Sequence, residues 1–397
     1  MNVLHIHQDY PDGRPYPFTK AVANLISSCE LQDTNIKHTV VSINRSSNPF
    51  SLSSKSFEQG ISIVYWAIPL PFLYYFSMKL SACYIHQKIK HLNIDLIHGH
   101  KLTSEGVLAY FLAQKMNKPY VLSVRGGSDM HNIRRLPQHK NLFSKVFMQA
   151  KKVFWVSAWA KVPVQKILDI DLAIIAKTSL LPNICNINLS YPQQDADLRH
   201  GYVTAVSYHQ YKRKGLAELI EAIAAINKQN SSIELTVYGS GDAVYQTEIE
   251  NLIVKHNAVA CVHLKGQVSQ QVLLSAMSQS KGFLLPAMNE TFGMAYIEAL
   301  SVGCPILYVE NTGIDGYFNN VCIGEKITAV NVAQLIASIT KIDKNNAQLC
   351  NSIKKYQEDN CLSFYTAEQV GKDYLNNLAL DNLNSNTLYS SKQAEIT

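Results

Sequence analysis

The segment "PAMNETFGMAYIEALSVGCP", residues 286–305, sets Glu290 and Glu298 on either side of a Phe-Gly pair and ends in Gly-Cys-Pro. The preceding apolar run "KGFLLPA" predicts a buried strand, and "MNETFG" predicts a loop. "MAYIEALSV" predicts a helix that Gly303 caps and Pro305 prevents from continuing. Glu290 therefore falls in the loop, and Glu298 lies roughly 7 Å along the helix at about 1.5 Å per residue.

The start of this helix is predicted to bind an anion. Its first amide groups have no partner within the helix, and the helix dipole adds positive potential there, which suits a diphosphate. The residues concerned are Thr291, Phe292, Gly293 and Met294. Glu298 can accept hydrogen bonds from a ribose diol, while Glu290 meets the group bonded to the far phosphate. This arrangement predicts a nucleotide-sugar site; the alternative is two glutamates spaced by chance.

The rest of the chain alternates short apolar runs with helical segments. Runs such as "NVLHIH" and "PYVLSVRG" in the first half, and "GYVTAVS" and "IELTVYG" in the second, are typical of parallel strands covered on both faces. A chain of 397 residues also exceeds the size of a single core. We therefore predict an α/β fold of two Rossmann-like, doubly wound parallel-sheet domains that face each other across a central cleft, where ligands collect beyond the carboxyl ends of the strands.

The predicted organisation divides the chain into four ranges. An N-terminal domain covers residues 1–190 and a C-terminal domain covers residues 191–365. Residues 366–380 are expected to form a helix that crosses back to the first domain. The polar residues 381–397 lack an apolar face and predict a disordered tail.

Composition excludes several classes of protein. The chain has no uninterrupted apolar run of about eighteen residues, the length that a membrane-spanning helix requires. Its start, "MNVLHIHQDYPDG", reads as a strand and a turn without the features of a secretory signal, so we expect a cytoplasmic protein. The eight cysteines show no close pairing. We expect reduced thiols, with no disulfide framework, no metal and no cofactor.

Charge differs between the two halves of the chain. Residues 1–190 hold 21 Lys and Arg against 10 Asp and Glu, a net of +11, and the remainder holds 15 against 20, a net of −5. A basic half without Arg and aromatic interleaving favours an anionic membrane surface or a phosphorylated substrate over nucleic acid. The alternative is a set of scattered, solvated lysines.

The run "PFLYYFSMKLSACYIHQKIKHL", residues 71–92, predicts an amphipathic helix that docks on the inner leaflet of the plasma membrane. The alternative is that its aromatic side chains pack this helix onto its own sheet. The residues predicted to contact the membrane are Phe72, Tyr75, Phe76 and Leu80 through apolar side chains, and Lys79, Lys88 and Lys90 through charge.

Several segments together resemble retaining glycosyltransferases of family 4, which have the GT-B fold. "LLPAMNETFGMAYIEALSVGCPIL" resembles the E-x(7)-E signature of that family. "IDLIHGHKLTSEGVLAYFLAQKMNKPYVLSVRGGSDM", "KRKGLAELIEAI" and "LTVYGSGD" resemble its further motifs in the same order. The resemblance covers about residues 1–375 and implies a metal-independent, hexosyltransferase-type enzyme. It would transfer sugar from a UDP- or GDP-sugar to a glycan or lipid-linked acceptor.

The resemblance also implies roles for individual residues. Glu290, Lys214 and Asp129 are the candidate catalytic residues, and Glu298 is the candidate ribose ligand. Donor binding is further expected of Arg213, Gly239, Gly241, Thr291, Phe292, Gly293 and Met294. Acceptor binding is expected of Gly13, Arg14, His100, Arg125 and Asp129, with the loop of residues 13–20 facing the acceptor or the diphosphate. For a basic, cytoplasmic member, the implied pathway is bacterial surface polysaccharide synthesis, such as lipopolysaccharide, capsule or exopolysaccharide.

The chain departs from the family pattern at three places. Ser207-Tyr208 stands where the family has Gly-Arg, so Arg213 or Lys212 is the candidate second cation for the diphosphate. The N-terminal loop lacks a glycine pair, so Arg14 is expected to supply charge instead. Arg125 stands where many members have a histidine, which makes Asp129 the candidate group for the acceptor hydroxyl.

Three rival functions remain open at this point. "LDIDLA" contains Asp169 and Asp171, the pattern of a metal-dependent transferase of the GT-A type, but far from any nucleotide-like feature. A dinucleotide-dependent oxidoreductase would carry G-x-G-x-x-G after the first strand, which this chain lacks. The third rival is a catalytically silent, glycosyltransferase-like subunit that binds a partner.

Overall fold

The chain forms two compact units, described from a computed structural model. One unit comprises residues 1–184 and 367–397, and the other comprises residues 185–366. The structure describes residues 1–14, 18–66, 70–171, 177–229 and 232–392, without the side chains of residues 49 and 380–392. Within these ranges, none of the helices is long and apolar enough to cross a bilayer.

The first unit is built on an eight-stranded sheet. Its strands are β1 Asn2–His7, β2 Lys37–Ser46, β3 Ser53–Phe57, β4 Gly60–Trp66, β5 Leu96–Gly99, β6 Tyr120–Val124, β7 Lys152–Trp155 and β8 Thr178–Leu180. They lie in the order β3-β4-β2-β1-β5-β6-β7-β8, and all pairs are parallel except β3 with β4. The central strands are almost completely buried because helices cover both faces of a parallel sheet.

The helices of this unit connect successive strands. They are α1 Ala21–Gln32, α2 Tyr74–Ile89, α3 Glu105–Met116, α4 Gly127–Arg135, α5 Lys140–Gln149 and α6 Lys161–Leu168. The apolar runs of the sequence predicted the central strands, but β3 and β8 were missed. The sequence of β3, "SSKSF", has no apolar face and is mostly exposed at the edge of the sheet, so periodicity carries no signal for it.

The second unit contains a six-stranded, wholly parallel sheet. Its strands are β9 Tyr202–Ala205, β10 Leu235–Tyr238, β11 Val262–Gly266, β12 Gly282–Leu284, β13 Ile306–Val309 and β14 Gly324–Ile327, in the order β11-β10-β9-β12-β13-β14. Its helices are α7 Leu216–Asn227, α8 Ala243–Lys255, α9 Gln270–Gln279, α10 Met294–Ser301, α11 Val332–Lys344 and α12 Asn346–Glu358. The prediction of two doubly wound sheets is confirmed.

The boundary between the units falls after Ile184, before the predicted residue 190. Leu181 and Ile184 are buried in the apolar core of the first unit, whereas the Cys185 amide donates to the Tyr365 carbonyl of the second unit at 2.9 Å. Residues 185–190, which were assigned to the first domain, therefore belong to the second unit.

The last helix, α13, runs from Ala367 to Lys392 and belongs to the first unit. The Tyr374 ring is fully buried against the sheet, and Gly371 lets α13 lie against Ser28 of α1, where a Cβ would overlap the Ser28 hydroxyl. The helix extends well past residue 380, where we predicted disorder, because no proline or glycine interrupts it after Gly371. The end of the predicted tail, residues 393–397, lies outside the described residues.

Candidate active site

A lysine-bearing loop of the second unit is held against the end of β12. Gly215 has a φ of +65°, and a Cβ there would lie 2.6 Å from the Pro286 carbonyl oxygen, so only glycine permits this close approach. The Met288 amide donates to the Arg213 carbonyl at 2.9 Å and ties the two segments together. The loop therefore brings Lys214 next to the segment that carries the first glutamate of the E-x(7)-E pattern.

Lys214 and Glu290 form an ion pair through Nζ and Oε2, with side chains that are 15% and 19% exposed. The backbone of Glu290 is fixed on both sides, since its amide donates to Thr312 Oγ1 at 2.9 Å and its carbonyl accepts from the Gly313 amide at 2.9 Å. The Thr291 amide donates to Glu290 Oε1 at 3.1 Å. The two candidate catalytic residues of this unit, far apart in sequence, are therefore brought into contact.

Helix α10 begins directly after this pair, as predicted. Gly293 has a φ of +79°, and a Cβ there would lie 2.5 Å from the Tyr296 ring. That ring is locked in place because its hydroxyl donates to the Leu285 carbonyl at 2.6 Å. The first amides of the helix, from Met294 onward, have no hydrogen-bond partners inside the helix. The start of α10 therefore carries positive potential.

Glu298 lies on α10 and is partly buried. Its Oε1 accepts from Gln270 Nε2 at 2.8 Å, and Gln270 is in turn held by the side chain and carbonyl of Asn186, each at 3.1 Å. Burial raises the pKa of Glu298, and the bond from Gln270 offsets part of that shift. Sequence reasoning missed Gln270 and Asn186, because no motif marks a glutamine at the start of α9.

A cavity of about 360 Å³ opens at the carboxyl ends of β9 and β10. It is lined by Ala205, Val206, Ser207, Tyr238, Gly239, Ser240, Gln267, Val268 and Leu273. At Gly239, whose φ is +139°, a Cβ would overlap the Val206 carbonyl oxygen, and at Gly241 it would lie 2.6 Å from Tyr208 Cβ. Both predicted glycines thus allow two loops to approach closely beside a cavity of mixed polar and apolar lining.

The residues at the first departure from the family pattern have clear positions. Tyr208 is 2% exposed and packs beneath Gly241, so it fills the core instead of presenting charge. Lys212 pairs with Glu248 at 3.4 Å, and its ammonium group lies over the Tyr211 ring. Arg213 is exposed and donates to Gln210 Oε1 at 2.6 Å. Lys212 and Arg213 were the two predicted sources of a second cation for the diphosphate. Because Lys212 is paired with Glu248, Arg213 remains the candidate.

Asp129, predicted to contact the acceptor hydroxyl, is completely buried in the first unit. Its Oδ1 accepts from the amide and hydroxyl of Thr103, each at 3.0 Å, and its Oδ2 accepts from the Arg125 amide at 2.9 Å. Burial raises its pKa, and these bonds oppose the shift. The prediction is corrected, because this carboxylate joins the loops after β5 and β6 and has no exposed oxygen for a substrate.

Two other predicted acceptor residues of this unit, Arg125 and His100, are also engaged. Arg125 is buried; its Nε donates to the His100 carbonyl at 3.0 Å, and its Nη1 donates to Asn183 Oδ1 at 3.3 Å. Both Arg125 and His100 border a small cavity of about 20 Å³. Gly13 lies in an open turn with a φ of +87°. Of the predicted loop 13–20, residues 15–17 lie outside the described residues.

Arg14 was predicted to supply positive charge to the diphosphate, and the structure corrects this. Its guanidinium binds both carboxylate oxygens of the buried Asp12, at 2.8 and 2.7 Å, and also contacts Asn44 and Ser42. Burial alone would raise the pKa of Asp12, but the bonds from Arg14 and two serines outweigh it and lower the pKa to about 2. The charge of Arg14 is therefore neutralised within its own loop.

A cluster of buried histidines is formed by strands β1, β2 and β5 of the first unit and the residue after β5. The potential ligand atoms of His5, His98 and His100 are within 4.8 Å of one another. His5 bonds to His100 and to His38, while His98 bonds to the Tyr374 hydroxyl and to Ser123, all at 2.9 to 3.0 Å. Burial, followed by Arg125 and His38, lowers the pKa of His98 to about 3. The neutral rings thus form a hydrogen-bonded core that fastens α13 to the sheet.

Comparison with known proteins identifies the family. The pattern described as "Glycosyl transferases group 1" matches residues 193–360, and that described as "Glycosyl transferase 4-like" matches residues 21–157. The chain belongs to glycosyltransferase family 4 and has the GT-B fold. An uncharacterized glycosyltransferase of Methanocaldococcus jannaschii is 24% identical over 68% of this chain and 73% of its own length.

Solved structures agree in fold. Anabaena HepE in complex with UDP superposes with a TM-score of 0.67, covering 96% of this chain and 100% of that chain at 15% identity. The apo form of the lipopolysaccharide outer core galactosyltransferase WaaB gives a TM-score of 0.65, covering 95% and 99% at 13% identity. The family and fold predicted from the sequence motifs are confirmed.

Proposed function

We propose that this glycosyltransferase moves a sugar, with retention of anomeric configuration, from a nucleotide-sugar such as a UDP- or GDP-sugar to a glycan or lipid-linked acceptor. The observation that carries the proposal is the ion pair of Lys214 and Glu290 beside the start of α10. Glu298 on the same helix, and the cavity at the ends of β9 and β10, supply ribose and base contacts in the same unit. The similarity to a structure solved with UDP supports a nucleotide-sugar donor.

The chemistry follows from where charge develops. As the bond between the anomeric carbon and the diphosphate oxygen breaks, the sugar ring becomes positive and the leaving oxygens become negative. Lys214, Arg213 and the amides at the start of α10 stabilise those oxygens without reorganisation, which is the largest contribution that such a site can make. The acceptor hydroxyl oxygen forms its bond to the anomeric carbon on the face that the phosphate leaves, and the leaving phosphate takes the acceptor proton. This step needs no side-chain base, in keeping with the buried position of Asp129.

We further propose a role in bacterial surface polysaccharide synthesis, in the cytoplasm. The similarity to WaaB, named for the lipopolysaccharide outer core, supports it, together with the net charge of +11 over residues 1–190. The alternative of a silent binding subunit rested on Tyr208 and Arg125. Tyr208 packs against Gly241, and Arg125 donates to the His100 carbonyl, so both side chains have structural roles. Neither departure from the family pattern therefore favours loss of activity.

Release of nucleoside diphosphate from a panel of UDP-, GDP- and ADP-sugars tests the enzymatic proposal. At least one donor should be hydrolysed slowly in the absence of acceptor, and mass spectrometry should show sugar transfer to a supplied glycan or glycolipid. A chain that binds nucleotide-sugars but neither hydrolyses nor transfers them with any acceptor would instead be the silent subunit.

Transfer should survive removal of divalent cations. The positive charge beside the diphosphate comes from Lys214, Arg213 and a helix start, which can take the place that a metal has in GT-A enzymes. Asp169 and Asp171 lie in the other unit, with Asp169 at the exposed end of α6 in a left-handed turn of φ +54°. Rates measured with EDTA should match those with Mn²⁺ to within about two-fold. Activity that EDTA abolishes and manganese restores would bring the GT-A interpretation back.

Helix α2 and the turn before it present an apolar row that supports peripheral membrane binding. Phe72, Phe76 and Leu80 are 67%, 63% and 63% exposed, so they do not pack on the sheet. The spacing of four residues places Phe76 and Leu80 on one face of the helix. Tyr75 lies half-buried against Phe111 and is less available than predicted. The alternative that these aromatics all serve the core therefore holds for Tyr75 but not for the exposed row.

Binding to anionic vesicles should accordingly be weak and sensitive to salt. Lys79 and Lys90 are exposed, Lys88 is half-buried over the Tyr84 ring, and each contributes about 1 kcal/mol near an anionic surface. The protein should cosediment with phosphatidylglycerol vesicles at low salt and dissociate as salt rises, since the Debye length falls to about 8 Å at physiological ionic strength.

Two triple variants of equal charge separate a local contact from net charge. The substitution K79E/K88E/K90E should abolish vesicle binding. The matched variant K255E/K265E/K344E, at exposed lysines of the second unit, should bind as the wild type does. Equal binding by both variants would show that α2 is not the docking face.

A further inference from the structure

The carboxylate of Glu298 is held by the side chain of Gln270, the first residue of α9. Glu298 Oε1 accepts from Gln270 Nε2 at 2.8 Å. Within the described parts of the chain, no other side chain donates to this carboxylate, and no ion pair involves it. The other oxygen, Oε2, accepts no hydrogen bond from a described residue. Gln270 thus fixes one oxygen of the carboxylate and leaves the other for a ligand hydroxyl.

The orientation of the Gln270 amide is set by Asn186. Gln270 Nε2 donates to the Asn186 carbonyl at 3.1 Å, and Gln270 Oε1 accepts from Asn186 Nδ2 at 3.1 Å. A carbonyl and an ionised carboxylate can only accept, so both must face the amide nitrogen, which excludes the flipped amide. The amide of the adjacent Cys185 donates to the Tyr365 carbonyl at 2.9 Å and holds this backbone. The donor of Gln270 is therefore supported by a second layer of hydrogen bonds.

The segment that carries Gln270 also forms a wall of the cavity at the ends of β9 and β10. Three residues on either side of Gln270 line that cavity, namely Gln267, Val268 and Leu273. Ser269 caps α9 with its side chain, which sets the start of the helix at Gln270. One short segment therefore contributes both to the cavity wall and to the bond that holds Glu298.

We propose that Gln270, held in place by Asn186, is a positioning residue for donor binding. It fixes the charged carboxylate of Glu298 so that Oε2 meets a ribose hydroxyl of the nucleotide-sugar. The proposal rests on the proposed donor role of Glu298 and adds two residues that act through it.

The electrostatics of the site agree with this role. Burial raises the pKa of Glu298, and the bond from Gln270 opposes that shift. The titratable group beside Glu298 is the Cys185 thiol, whose pKa is raised by burial and then by the charge of Glu298. That thiol is therefore uncharged at neutral pH and does not help to keep Glu298 ionised. The support for the charged form comes from the amide of Gln270.

Calorimetry tests the proposal with UDP, or with GDP if that is the nucleotide that the wild type binds. Q270M keeps the length of the side chain and removes its amide. It should bind about three- to ten-fold more weakly at neutral pH, because a hydrogen bond to a charged group is lost at an exposed position. The decline of affinity on acidification should begin at a higher pH than in the wild type, since loss of this bond favours protonated Glu298. The difference between the two proteins should therefore shrink as pH rises. N186A should show the same changes to a smaller extent.

A double-mutant cycle shows whether Gln270 acts through Glu298. Q270M/E298A should bind the nucleotide no more weakly than E298A, because the side chain that Gln270 positions is already absent. Q271M makes the same chemical change at the next position, which is also exposed, and should bind as the wild type does. The proposal is wrong if the two losses add in the double variant, if Q270M binds as the wild type does at every pH, or if the wild type binds neither nucleotide.

Steady-state rates separate this proposal from the proposed function. Q270M should raise the donor KM and change kcat by less than about two-fold, since the ribose is not a reacting group. Equal Tm values for Q270M, Q271M and the wild type show that the fold is kept. A wild type that binds UDP or GDP but releases and transfers no sugar would overturn the enzymatic proposal, whereas the binding results would still decide the role of Gln270.

Discussion

Replacing Lys214 with glutamine should lower kcat by about 10²- to 10³-fold, the loss seen when one preorganised donor to a developing negative charge is removed. Lys214 is largely shielded from solvent and contacts Glu290. A bound diphosphate would attract the same ammonium group. Since the charge on the leaving oxygens grows as the glycosidic bond breaks, the loss should fall mainly on kcat and less on KM.

The matched control is K212Q. Lys212 lies two positions away in the same loop, yet it is 76% exposed and pairs with Glu248. Its replacement should change kcat by less than about three-fold. Initial rates over a range of donor concentrations, together with Tm values, measure both variants. Equal losses for K212Q and K214Q at equal Tm would show that the loop acts by general charge, and that Lys214 has no specific role.

The donor half of the site could be predicted from the sequence because its determinants are local. Gly293, Glu298 and Pro305 all lie within one strand-loop-helix segment, whose geometry follows from helix signals that are readable in the sequence. The structure confirms the helix at Met294–Ser301. The contact between Lys214 and Glu290, in contrast, depends on how two loops at neighbouring strand ends meet. The family resemblance implied a donor role for each residue, but it did not predict that they contact each other.

The acceptor half was predicted less well because charge in a sequence does not reveal its partners. Arg14 looks like an available cation until the structure shows it bound to Asp12. Asp129 looks like an available carboxylate until its three hydrogen bonds are seen. Whether a charge is free is decided by tertiary packing.

The same limit applies to the aromatic run of residues 71–92. The sequence predicts an amphipathic helix, but it does not divide the aromatics between core and surface. Tyr74 contributes to the core through its contacts with Phe143 and the Thr103 carbonyl, whereas Phe76 points to solvent. Adjacent residues on a helix point about 100° apart. An error of one residue in the position of the buried face is therefore enough to assign a core aromatic to the surface, or a surface aromatic to the core.

Replacing Glu298 with alanine should weaken donor binding about ten- to a hundred-fold, which corresponds to ~1.5–3 kcal/mol for a lost hydrogen bond to a charged group. In the structure its carboxylate is partly buried and accepts from Gln270, an arrangement that holds it in one orientation. Calorimetry with UDP and GDP measures the affinity directly. E221A, at an exposed glutamate on α7, is the control and should bind normally.

The pH dependence of this binding provides an independent check. Burial raises the pKa of Glu298, so its carboxylate takes up a proton at a higher pH than an ordinary glutamate does. A protonated Glu298 loses the charge that strengthens its bonds to a ribose diol. Donor affinity should therefore be full near neutral pH and decline as pH falls through the raised pKa. E298Q, which cannot titrate, should bind more weakly than the wild type at neutral pH and lack this decline. A wild-type affinity that stays constant while E298A binds equally well would remove Glu298 from the donor site.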